Sequence, residues 1–340
     1  MDECFPSYIV NRTSYFMRGL VIKSTGSSYI VRLDDGSDVE CRIKGNFRIR
    51  GIRSTNPVAV GDYVTVDKGQ WTKDNGQDTL WITDVEERKN YIIRKSTNLS
   101  KESHILAANI DQVALIVTVN HPVTSTTFID RFLATCEAYN VPALLIFNKI
   151  DLLTDEELAQ LAELRALYES IGYKTVALCA KDLTPYTVHL TPLLEGKTTL
   201  LSGNSGVGKS TLLNALFGKE VTRTGKISDA HDKGMHTTTF SEMYFLSTKD
   251  SFVHRTSSLC TLIDTPGIKG FGTIDFKREE VSHYFPEIFR IGRNCRYDNC
   301  THTNEPHCAV QEALEKGEIA ISRYESYWSM LGDCDEAKYR

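Results

Sequence analysis

A glycine-rich stretch in the second half of the chain has the residue types and spacing to bind a phosphate. Residues 198–217 read TTLLSGNSGVGKSTLLNALF and contain the pattern G-x-x-x-x-G-K-S. Glycines let backbone N–H groups converge on a phosphate, the lysine can reach the β- and γ-phosphates, and the serine hydroxyl can bind Mg²⁺. The residues expected to contact a nucleotide here are Gly203, Asn204, Ser205, Gly206, Val207, Gly208, Lys209, Ser210 and Thr211.

The sequence on either side of this loop has the pattern that a phosphate loop requires. An apolar run at 199–201 predicts a strand before it. Apolar residues at helical spacing predict an amphipathic helix after it: Leu212, Leu213, Leu216 and Phe217. Such a helix directs the positive end of its dipole at the phosphate. The alternative, a chance glycine-rich turn before a helix, does not explain why motif and flanks agree.

A second motif, earlier in the chain, indicates which base the nucleotide carries. The apolar run 143–147 predicts a strand, and it is followed directly by Asn148, Lys149, Ile150 and Asp151, an N-K-x-D sequence. An aspartate in this position accepts two hydrogen bonds from the N1–H and the exocyclic amine of guanine, which adenine cannot offer. N-K-x-D alone occurs by chance, but beside a phosphate loop it is a strong signal and argues against an ATPase or a kinase.

The tripeptide Cys179-Ala180-Lys181 resembles the second base-contacting loop of GTPases, which is usually S-A-K. Here cysteine replaces the serine. The replacement matters little if the Ala180 backbone makes the contact, and we therefore include Ala180 among the expected nucleotide-binding residues.

Past the phosphate loop, an apolar run at 259–263 predicts a strand that ends in the D-x-x-G sequence Asp264-Thr265-Pro266-Gly267. Asp264 would bind Mg²⁺ through water, and the Gly267 N–H would contact the γ-phosphate. The polar stretch 234–239, GMHTTT, lies between the two motifs, where a mobile switch segment belongs. One of its threonines should complete the Mg²⁺ shell.

Three cysteines and a histidine near the end of the chain have the spacing of a metal site. Cys295, Cys300, His302 and Cys308 form the pattern C-x4-C-x-H-x5-C. Three thiolates and one imidazole close a tetrahedral shell around Zn²⁺ and leave no open position, so the site should be structural and not catalytic. The alternative is reduced cysteines that merely pack, but the surrounding sequence is polar and turn-rich. His307 is a second candidate for the imidazole ligand.

The composition excludes several classes of protein. With 340 residues the chain has room for two or three domains, and 41% hydrophobic and 24% charged residues are typical of a soluble globular protein. We find no run of about 18 apolar residues, no leader and no lipidation signal, which predicts a cytoplasmic protein without a membrane partner. The net charge of −5 restricts nucleic-acid binding to local basic patches, and nine cysteines are too few and too scattered for a disulfide scaffold.

The motifs require scaffolding elements, and the alternation of predicted elements in the centre of the chain supplies them. Strands and helices alternate along the chain at 113–117, 128–139, 143–147, 155–169 and 175–179. This order predicts a parallel, doubly wound α/β sheet with ligand groups in the loops at the carboxyl ends of its strands.

The first 97 residues have a different pattern, with short β-type runs separated by turn signals. The runs lie at 20–22, 29–33, 39–43, 63–66 and 80–82. Five short strands in so few residues predict a small closed barrel, and an OB-type fold is the commonest candidate of that size.

Two parts of the chain carry local basic patches. The loop after the third strand contains Arg42, Lys44, Arg48, Arg50 and Arg53. It also contains Phe47, and it could follow a nucleic-acid backbone or be a solvated loop that binds nothing; this segment alone leaves both open. Three arginines beside the Cys/His cluster could also reach phosphates: Arg290, Arg293 and Arg296.

The order of the motifs along the chain is base motif, phosphate loop, switch threonine and D-x-x-G. Ordinary small GTPases begin with the phosphate loop and end with the base motif, and a circular permutation preserves such a site in space. In this order the chain resembles the circularly permuted GTPases that act in ribosome assembly, the RsgA family, over nearly its whole length. One departure, at 182–195, is a stretch with proline and threonine and only a short helical piece, and it touches no motif.

The resemblance implies three domains: an OB-fold RNA-binding domain at 1–97, a circularly permuted P-loop GTPase domain at 98–280, and a zinc-binding domain with a C-terminal helix at 281–340. It implies a GTP hydrolase that is stimulated by the small (30S) ribosomal subunit and assists late maturation of that subunit. The N-terminal and C-terminal domains would bind 16S rRNA. We expect the protein to be a monomer.

The resemblance also implies two metal ions. Mg²⁺ would accompany GTP, and the resemblance favours Thr238 over Thr237 as its switch ligand. The three Mg²⁺ ligands would be Ser210, Thr238 and Asp264. One structural Zn²⁺ would have His302, not His307, as its imidazole ligand. Its full set would be Cys295, Cys300, His302 and Cys308.

Hydrolysis needs an ordered water, and the residue after D-T-P-G is Ile268, whose aliphatic side chain cannot orient one. The isolated enzyme should therefore be slow, and His236 in the switch stretch is the best candidate for the missing catalytic group. The alternative for His236 is a solvated side chain in a mobile loop. The alternative for the whole chain is an RNA-binding assembly scaffold that holds GTP mainly as a structural ligand.

Overall fold

The computed structural model describes residues 16–26, 28–43, 57–74, 77–95, 103–222, 241–246, 260–265 and 276–336. The strands are β1 Phe16–Ser24, β2 Tyr29–Leu33, β3 Asp38–Ile43, β4 Tyr63–Asp74, β5 Gln77–Val85, β6 Tyr91–Lys95, β7 Ser103–Ala108, β8 Gln112–Val117, β9 Ala143–Phe147, β10 Lys174–Ala177, β11 Thr198–Ser202, β12 Glu242–Leu246 and β13 Cys260–Asp264. The helices are α1 Thr126–Ala138, α2 Asp155–Ile171, α3 Thr187–Leu194, α4 Lys209–Phe217, α5 Pro286–Gly292, α6 Ala309–Glu315 and α7 Ile321–Glu336. Short 3-10 helices lie at Ile150–Leu152, Thr184–Tyr186 and Arg278–Tyr284. Within these ranges no helix combines the length and the apolar character needed to cross a membrane.

Strands β1 to β5 form the predicted five-stranded barrel. Their order is β1-β2-β3-β5-β4, and β4 pairs back with β1 to close it. Strand β2 shows which side chains fill the barrel. Its residues Tyr29, Val31 and Leu33 are buried, and the residues between them are half-buried, because successive side chains of a strand point to opposite faces. Of the basic loop after β3, only Arg42 belongs to the described residues, and Lys44, Arg48, Arg50 and Arg53 lie outside them.

The central sheet has the predicted parallel, doubly wound form. Its strand order is β10-β9-β8-β11-β13-β12, with every neighbouring pair parallel except β12 and β13, which are antiparallel. All six residues of β8 are buried because helices cover both faces. Alternate residues of β8 pack toward α1 and α2 on one face and toward α3 and α4 on the other.

A hairpin of β6 and β7 was not anticipated from the sequence. The two strands pair antiparallel, and Ile92 of β6 and Leu106 of β7 are buried in the same apolar cluster as residues of β8. No two-residue turn motif joins the strands, so the usual hairpin signal is absent from the sequence.

The barrel and the central sheet are joined edge to edge. Strand β1 pairs antiparallel with β12 at Lys23 and Glu242, whose charged groups are 3.1 Å apart, so the two sheets form one sheet of eleven strands. The buried ion pair of Arg88 and Asp62, at 2.6 Å, connects the segment between β5 and β6 to the start of β4. Beside it Gly61 has φ 94°, and a Cβ there would lie 2.0 Å from the Ala108 carbonyl oxygen, so only glycine fits.

The C-terminal part is a small helical unit with its own apolar cluster. The chain after the Cys/His cluster forms two helices, α6 and α7, because it turns at Gly317 with φ 73°. Phe285, Val310, Tyr327 and Met330 form part of its core. Helix α7 packs against α1 of the central unit.

Candidate nucleotide site and metal centre

Three of the sequence motifs meet at one edge of the central sheet. The phosphate loop follows β11, the N-K-x-D sequence follows β9, and Asp264 is the last residue of β13. In the sheet these parallel strands follow the order β9-β8-β11-β13, so their carboxyl ends lie at the same edge. This is the edge at which open α/β sheets bind ligands.

The glycines of the phosphate loop are required by its shape. Gly203, Gly206 and Gly208 have φ angles of 146°, 83° and 100°, which other residues rarely adopt. A Cβ on Gly203 would lie 2.4 Å from the Ile116 carbonyl oxygen, and one on Gly208 would lie 2.3 Å from Nδ2 of Asn148. The loop therefore packs directly against β8 and the base motif. Helix α4 begins at once after it.

Asn148 holds three motifs together. Its buried side-chain amide donates to the Val207 carbonyl in the phosphate loop at 2.8 Å, and its Oδ1 accepts from the Ala180 N–H at 2.9 Å. One side chain thus fixes the phosphate loop and both base-contacting segments relative to one another. From the sequence alone, Asn148 was only one letter of the N-K-x-D pattern.

Lys149 makes a second set of contacts with the phosphate loop. Its ammonium donates to the Gly206 carbonyl and to the His121 carbonyl, each at 2.6 Å, and its backbone is left-handed, with φ 64°. Partial burial, and then the nearby charge of Lys181, lower the pKa of Lys149. Both carbonyl contacts stabilise the ammonium in this position.

The loop at 118–124, which contacts these motifs, was not singled out in the sequence. Thr118 and Thr124 close it, because the Thr118 N–H donates to Oγ1 of Thr124 at 3.2 Å and the Thr124 N–H donates to the Thr118 carbonyl at 3.0 Å. A Cβ on Gly206 would lie 3.6 Å from Cδ of Pro122, so the loop also lies against the phosphate loop. The Asn-His-Pro turn after β8 was the available signal.

Lys209 lies over the loop that precedes it. Its ammonium donates to the Gly203 carbonyl at 2.7 Å and to the Asn204 carbonyl at 3.1 Å. Burial lowers the pKa of Lys209, while the negative charge of Asp264 opposes that effect. Asp264 is only 1% exposed, whereas Lys209 is half-buried.

Asp151 is the exposed member of the base motif. Its side chain is 33% exposed, and one carboxylate oxygen lies 3.9 Å from Nζ of Lys181. It is therefore accessible to a ligand at the sheet edge. Three further predicted residues, His236, Thr238 and Gly267, lie outside the described residues, as does Ile268.

The predicted metal ligands come together in the helical unit. Sγ of Cys308 lies 3.8 Å from Sγ of Cys295 and 3.7 Å from Sγ of Cys300, and Nδ1 of His302 lies 3.5 Å from two of these sulfurs. A tetrahedral Zn²⁺ shell with Zn–S of about 2.3 Å and Zn–N of about 2.0 Å places sulfurs ~3.8 Å apart and sulfur and nitrogen ~3.5 Å apart. The donor atoms thus fit a tetrahedral ion. His307 is exposed and is not part of this cluster.

Hydrogen bonds hold the loop that carries the ligands. Burial would raise the pKa of the Glu305 carboxyl, but hydrogen bonds from the Thr301 hydroxyl and from the N–H groups of Thr301 and Thr303 lower it to about 2. Burial lowers the pKa of His302, which favours the neutral imidazole that binds a metal.

Gly292, the last residue of α5, leaves room for the His302 ring. A Cβ there would lie 2.9 Å from Cε1 and Nε2 of His302, and the ring cannot retreat without leaving the sulfurs. We expect Gly292→Ala to lower Zn²⁺ affinity by about 10- to 100-fold, the range seen when residues that orient a metal-binding side chain are mutated. Competition with a chromophoric zinc chelator measures it.

Gly332→Ala is the matched control for that prediction. Gly332 lies in α7 with nothing within 4 Å of an added Cβ. The substitution should leave Zn²⁺ affinity unchanged and add about 0.5–1 kcal/mol of stability. Equal zinc affinities of the two variants would mean that the His302 ring is not confined by Gly292.

Comparison with known proteins identifies the family. The model of the RsgA GTPase family matches residues 85–274, more than half of the chain, and the model of the RsgA N-terminal domain matches residues 18–75. The chain belongs to the RsgA GTPase family. Small ribosomal subunit biogenesis GTPase RsgA 2 of Bacteroides thetaiotaomicron is 56% identical over 95% of this chain and 99% of its own, and RsgA of Phocaeicola vulgatus is 55% identical over the same shares.

Solved structures of similar proteins have the same architecture as this member of the RsgA GTPase family. YjeQ from Thermotoga maritima is 31% identical, with a TM-score of 0.67 over 94% of this chain and 99% of its own. YloQ, described as a circularly permuted GTPase, is 27% identical, with a TM-score of 0.66 over 97% and 99%.

Membership in the RsgA GTPase family makes the chain a GTPase and implies Mg²⁺ with GTP. Two of the expected Mg²⁺ ligands belong to the described residues. Ser210 is the second residue of α4, and Asp264 lies opposite Leu201 of β11, immediately before the loop. Both side chains offer oxygen, the donor that Mg²⁺ prefers, and they fit such an ion.

Proposed function

We propose that the protein hydrolyses GTP in the late maturation of the small ribosomal subunit, and that the subunit stimulates the reaction. The observation that carries the GTP part is Asn148, which joins the phosphate loop to both base-contacting segments. The ribosomal part is supported by the relatives that are 56% and 55% identical and are named for small-subunit biogenesis.

Different residues of the site contact the base, the phosphates and the metal ion. Asp151 accepts from the guanine base, and Lys209 exchanges its loop carbonyls for the β- and γ-phosphates. Ser210, Thr238 and Asp264 would hold Mg²⁺, which would supply positive charge to neutralise the charge that develops on the transferred phosphoryl group. The contacts to nucleotide come from Asn148, Lys149, Ile150, Asp151, Ala180, the loop residues 203–211, Asp264 and Gly267.

The residues named so far do not position the water that attacks the γ-phosphate. Ile268 cannot orient it, and His236 is the side chain of this chain that we assign to the task. Binding to the subunit would complete the catalytic arrangement in trans. Turnover of the isolated protein is accordingly slow.

We assign the domain boundaries 1–97, 98–280 and 281–340, with Zn²⁺ as the ion of the Cys/His cluster. The barrel and the zinc domain bind 16S rRNA on either side of the GTPase, in the cytoplasm and as a monomer. Support for the zinc side comes from Arg293 over the Phe289 ring, at 5.3 Å, and Arg296 over the Tyr297 ring, at 5.7 Å. Exposed arginine and aromatic side chains of this kind stack on unpaired bases.

One assay tests the proposed function. GTP hydrolysis by the full chain, with Mg²⁺ in excess, is measured alone and with purified small ribosomal subunits. We expect acceleration of about 10²-fold or more, since a catalytic arrangement completed in trans has effects of this order and above. GTP and subunit binding without acceleration would favour the assembly scaffold that uses GTP as a structural ligand, and absence of GTP binding would contradict both.

Asp151→Asn should weaken GTP binding and favour xanthosine triphosphate. The amide can donate to the C2 carbonyl of xanthine, where the carboxylate can only accept. The loss for GTP should be roughly 10- to 100-fold, corresponding to about 1.5–3 kcal/mol for a hydrogen bond to a charged group. Competition binding with the two nucleotides measures the preference.

The control is Asp155→Asn, which makes the same change of charge at an exposed position in the first turn of α2. It should retain the preference for GTP. An unchanged preference in Asp151→Asn as well would mean that Asp151 does not face the base.

A further inference from the structure

Helix α7 holds the loop that carries the metal ligands. The Tyr324 hydroxyl donates to the carbonyl of His302 at 2.8 Å, and the Tyr327 hydroxyl donates to the carbonyl of Thr301 at 2.7 Å. Tyr327 is almost fully buried, so its position is set by the core of the helical unit. A change in the ligand loop is therefore transmitted to α7 through two direct hydrogen bonds.

The same helix is bound to α1 by charged groups. Arg323, which is 1% exposed, donates to Oδ1 of Asp130 at 2.8 Å and to the Glu287 carboxylate at 2.7 and 3.1 Å. The next residue of α1, Arg131, donates to Asp333 at 2.6 Å and to the Ser329 hydroxyl at 2.7 Å. Two consecutive residues of α1, one acidic and one basic, thus form ion pairs with α7.

Helix α1 begins where the loop at 118–124 ends. Its N-cap is Ser125, whose hydroxyl oxygen accepts from the Phe128 N–H at 3.2 Å. That loop is closed by its own hydrogen bonds and contacts Lys149 and Gly206. A displacement of α1 along its axis therefore moves a loop that lies against the phosphate loop and the base motif.

We propose that α7 and α1 act as one strut that links the Cys/His cluster energetically to the nucleotide site, so that metal binding and guanine-nucleotide binding strengthen each other. The inference rests on the proposed function in that it takes the phosphate loop as a guanine-nucleotide site. Packed helices and hydrogen-bond networks carry coupling of this kind, but contiguity has to be tested by measuring the coupling. Such a linkage is reciprocal: each ligand changes the affinity for the other by the same factor.

The experiment measures Zn²⁺ affinity of the full chain by competition with a zinc-selective chromophoric chelator, with and without saturating GDP and Mg²⁺. In the wild type we expect GDP to tighten Zn²⁺ binding at least about fivefold, the lower end of typical coupling. Removal of Zn²⁺ should weaken GDP binding by the same factor. Activity is not used as a readout.

Two variants remove polar contacts of the strut and keep its buried apolar packing. Tyr324→Phe with Tyr327→Phe keeps both rings and removes the hydroxyls that hold the ligand loop, and Arg131→Met removes the outer contact of α1 with α7. In each the effect of GDP on Zn²⁺ should fall to less than twofold. The control is Arg165→Met, which removes an ion pair with Glu169 on α2, outside the strut, and should keep the full effect.

Either of two results would overturn the proposal: GDP leaves the Zn²⁺ affinity of the wild type unchanged, or both strut variants keep the full effect. Loss of the effect in the Arg165→Met control would likewise overturn it, because the coupling would then not run through α7 and α1. A wild-type chain that does not bind GDP would instead contradict the proposed function.

Discussion

Replacing Arg323 by methionine is expected to lower the free energy of unfolding by about 3–5 kcal/mol, the cost of removing one partner from a buried ion pair. The guanidinium lies between the Asp130 and Glu287 carboxylates, and all three groups are buried. Burial raises the pKa of Asp130 although the charge of Arg323 opposes it. Methionine would leave two carboxylates without their cation. Urea unfolding followed by circular dichroism measures the change.

A triple variant separates the effect of the buried charges from simple packing. Arg323→Met combined with Asp130→Asn and Glu287→Gln removes the buried charges together and should recover a large part of the loss. Arg131→Met serves as the control because its pair with Asp333 is partly exposed, and it should cost about 0–1 kcal/mol. If Arg323→Met were as stable as Arg131→Met, the buried network would not hold α7 to α1.

His236→Ala should reduce subunit-stimulated GTP hydrolysis by about 10²–10³, or roughly 2.7–4 kcal/mol, by analogy with loss of one positioned transition-state group. We assign the imidazole to the attacking water and not to the base pocket or the phosphate loop. GTP affinity and binding to the small subunit should therefore stay near those of the wild type. Single-turnover hydrolysis with saturating subunits, beside nucleotide binding and cosedimentation, measures the three quantities.

Thr238→Ala is the comparison for this variant. It removes an assigned Mg²⁺ ligand in the same stretch, so it should disturb the closed switch and impair subunit binding together with hydrolysis. Stimulated turnover of His236→Ala within about twofold of the wild type would contradict the assignment. A ribosomal group would then position the water.

Much of the fold could be read from local patterns. The alternation of β2 predicted a strand of the barrel, and the continuous apolar runs of β8 and β9 predicted buried parallel strands, because side-chain spacing follows the period of the element. The hairpin of β6 and β7 and the break between α6 and α7 were missed. The sequence between β6 and β7 contains no two-residue turn motif, and the break between the helices depends on one glycine with positive φ, Gly317.

By itself the sequence determined the chemistry that this protein can perform. The phosphate loop, the N-K-x-D sequence and the Cys/His cluster each consist of neighbouring residues, and the spacing within each is enough to indicate a guanine nucleotide or a metal ion. The permuted order of the motifs is likewise a property of the sequence.

Only the tertiary structure decided how these parts are held together. Asn148 bonds to Val207, 59 residues away, and Arg323 bonds to Asp130, 193 residues away. Local sequence patterns do not predict such contacts. They arise when the ends of different strands meet at one edge of a sheet, and when a helix packs against another helix that is distant in sequence. The burial that makes a lone asparagine into a junction of three motifs, and an arginine into the anchor of α7, exists only after the chain has folded.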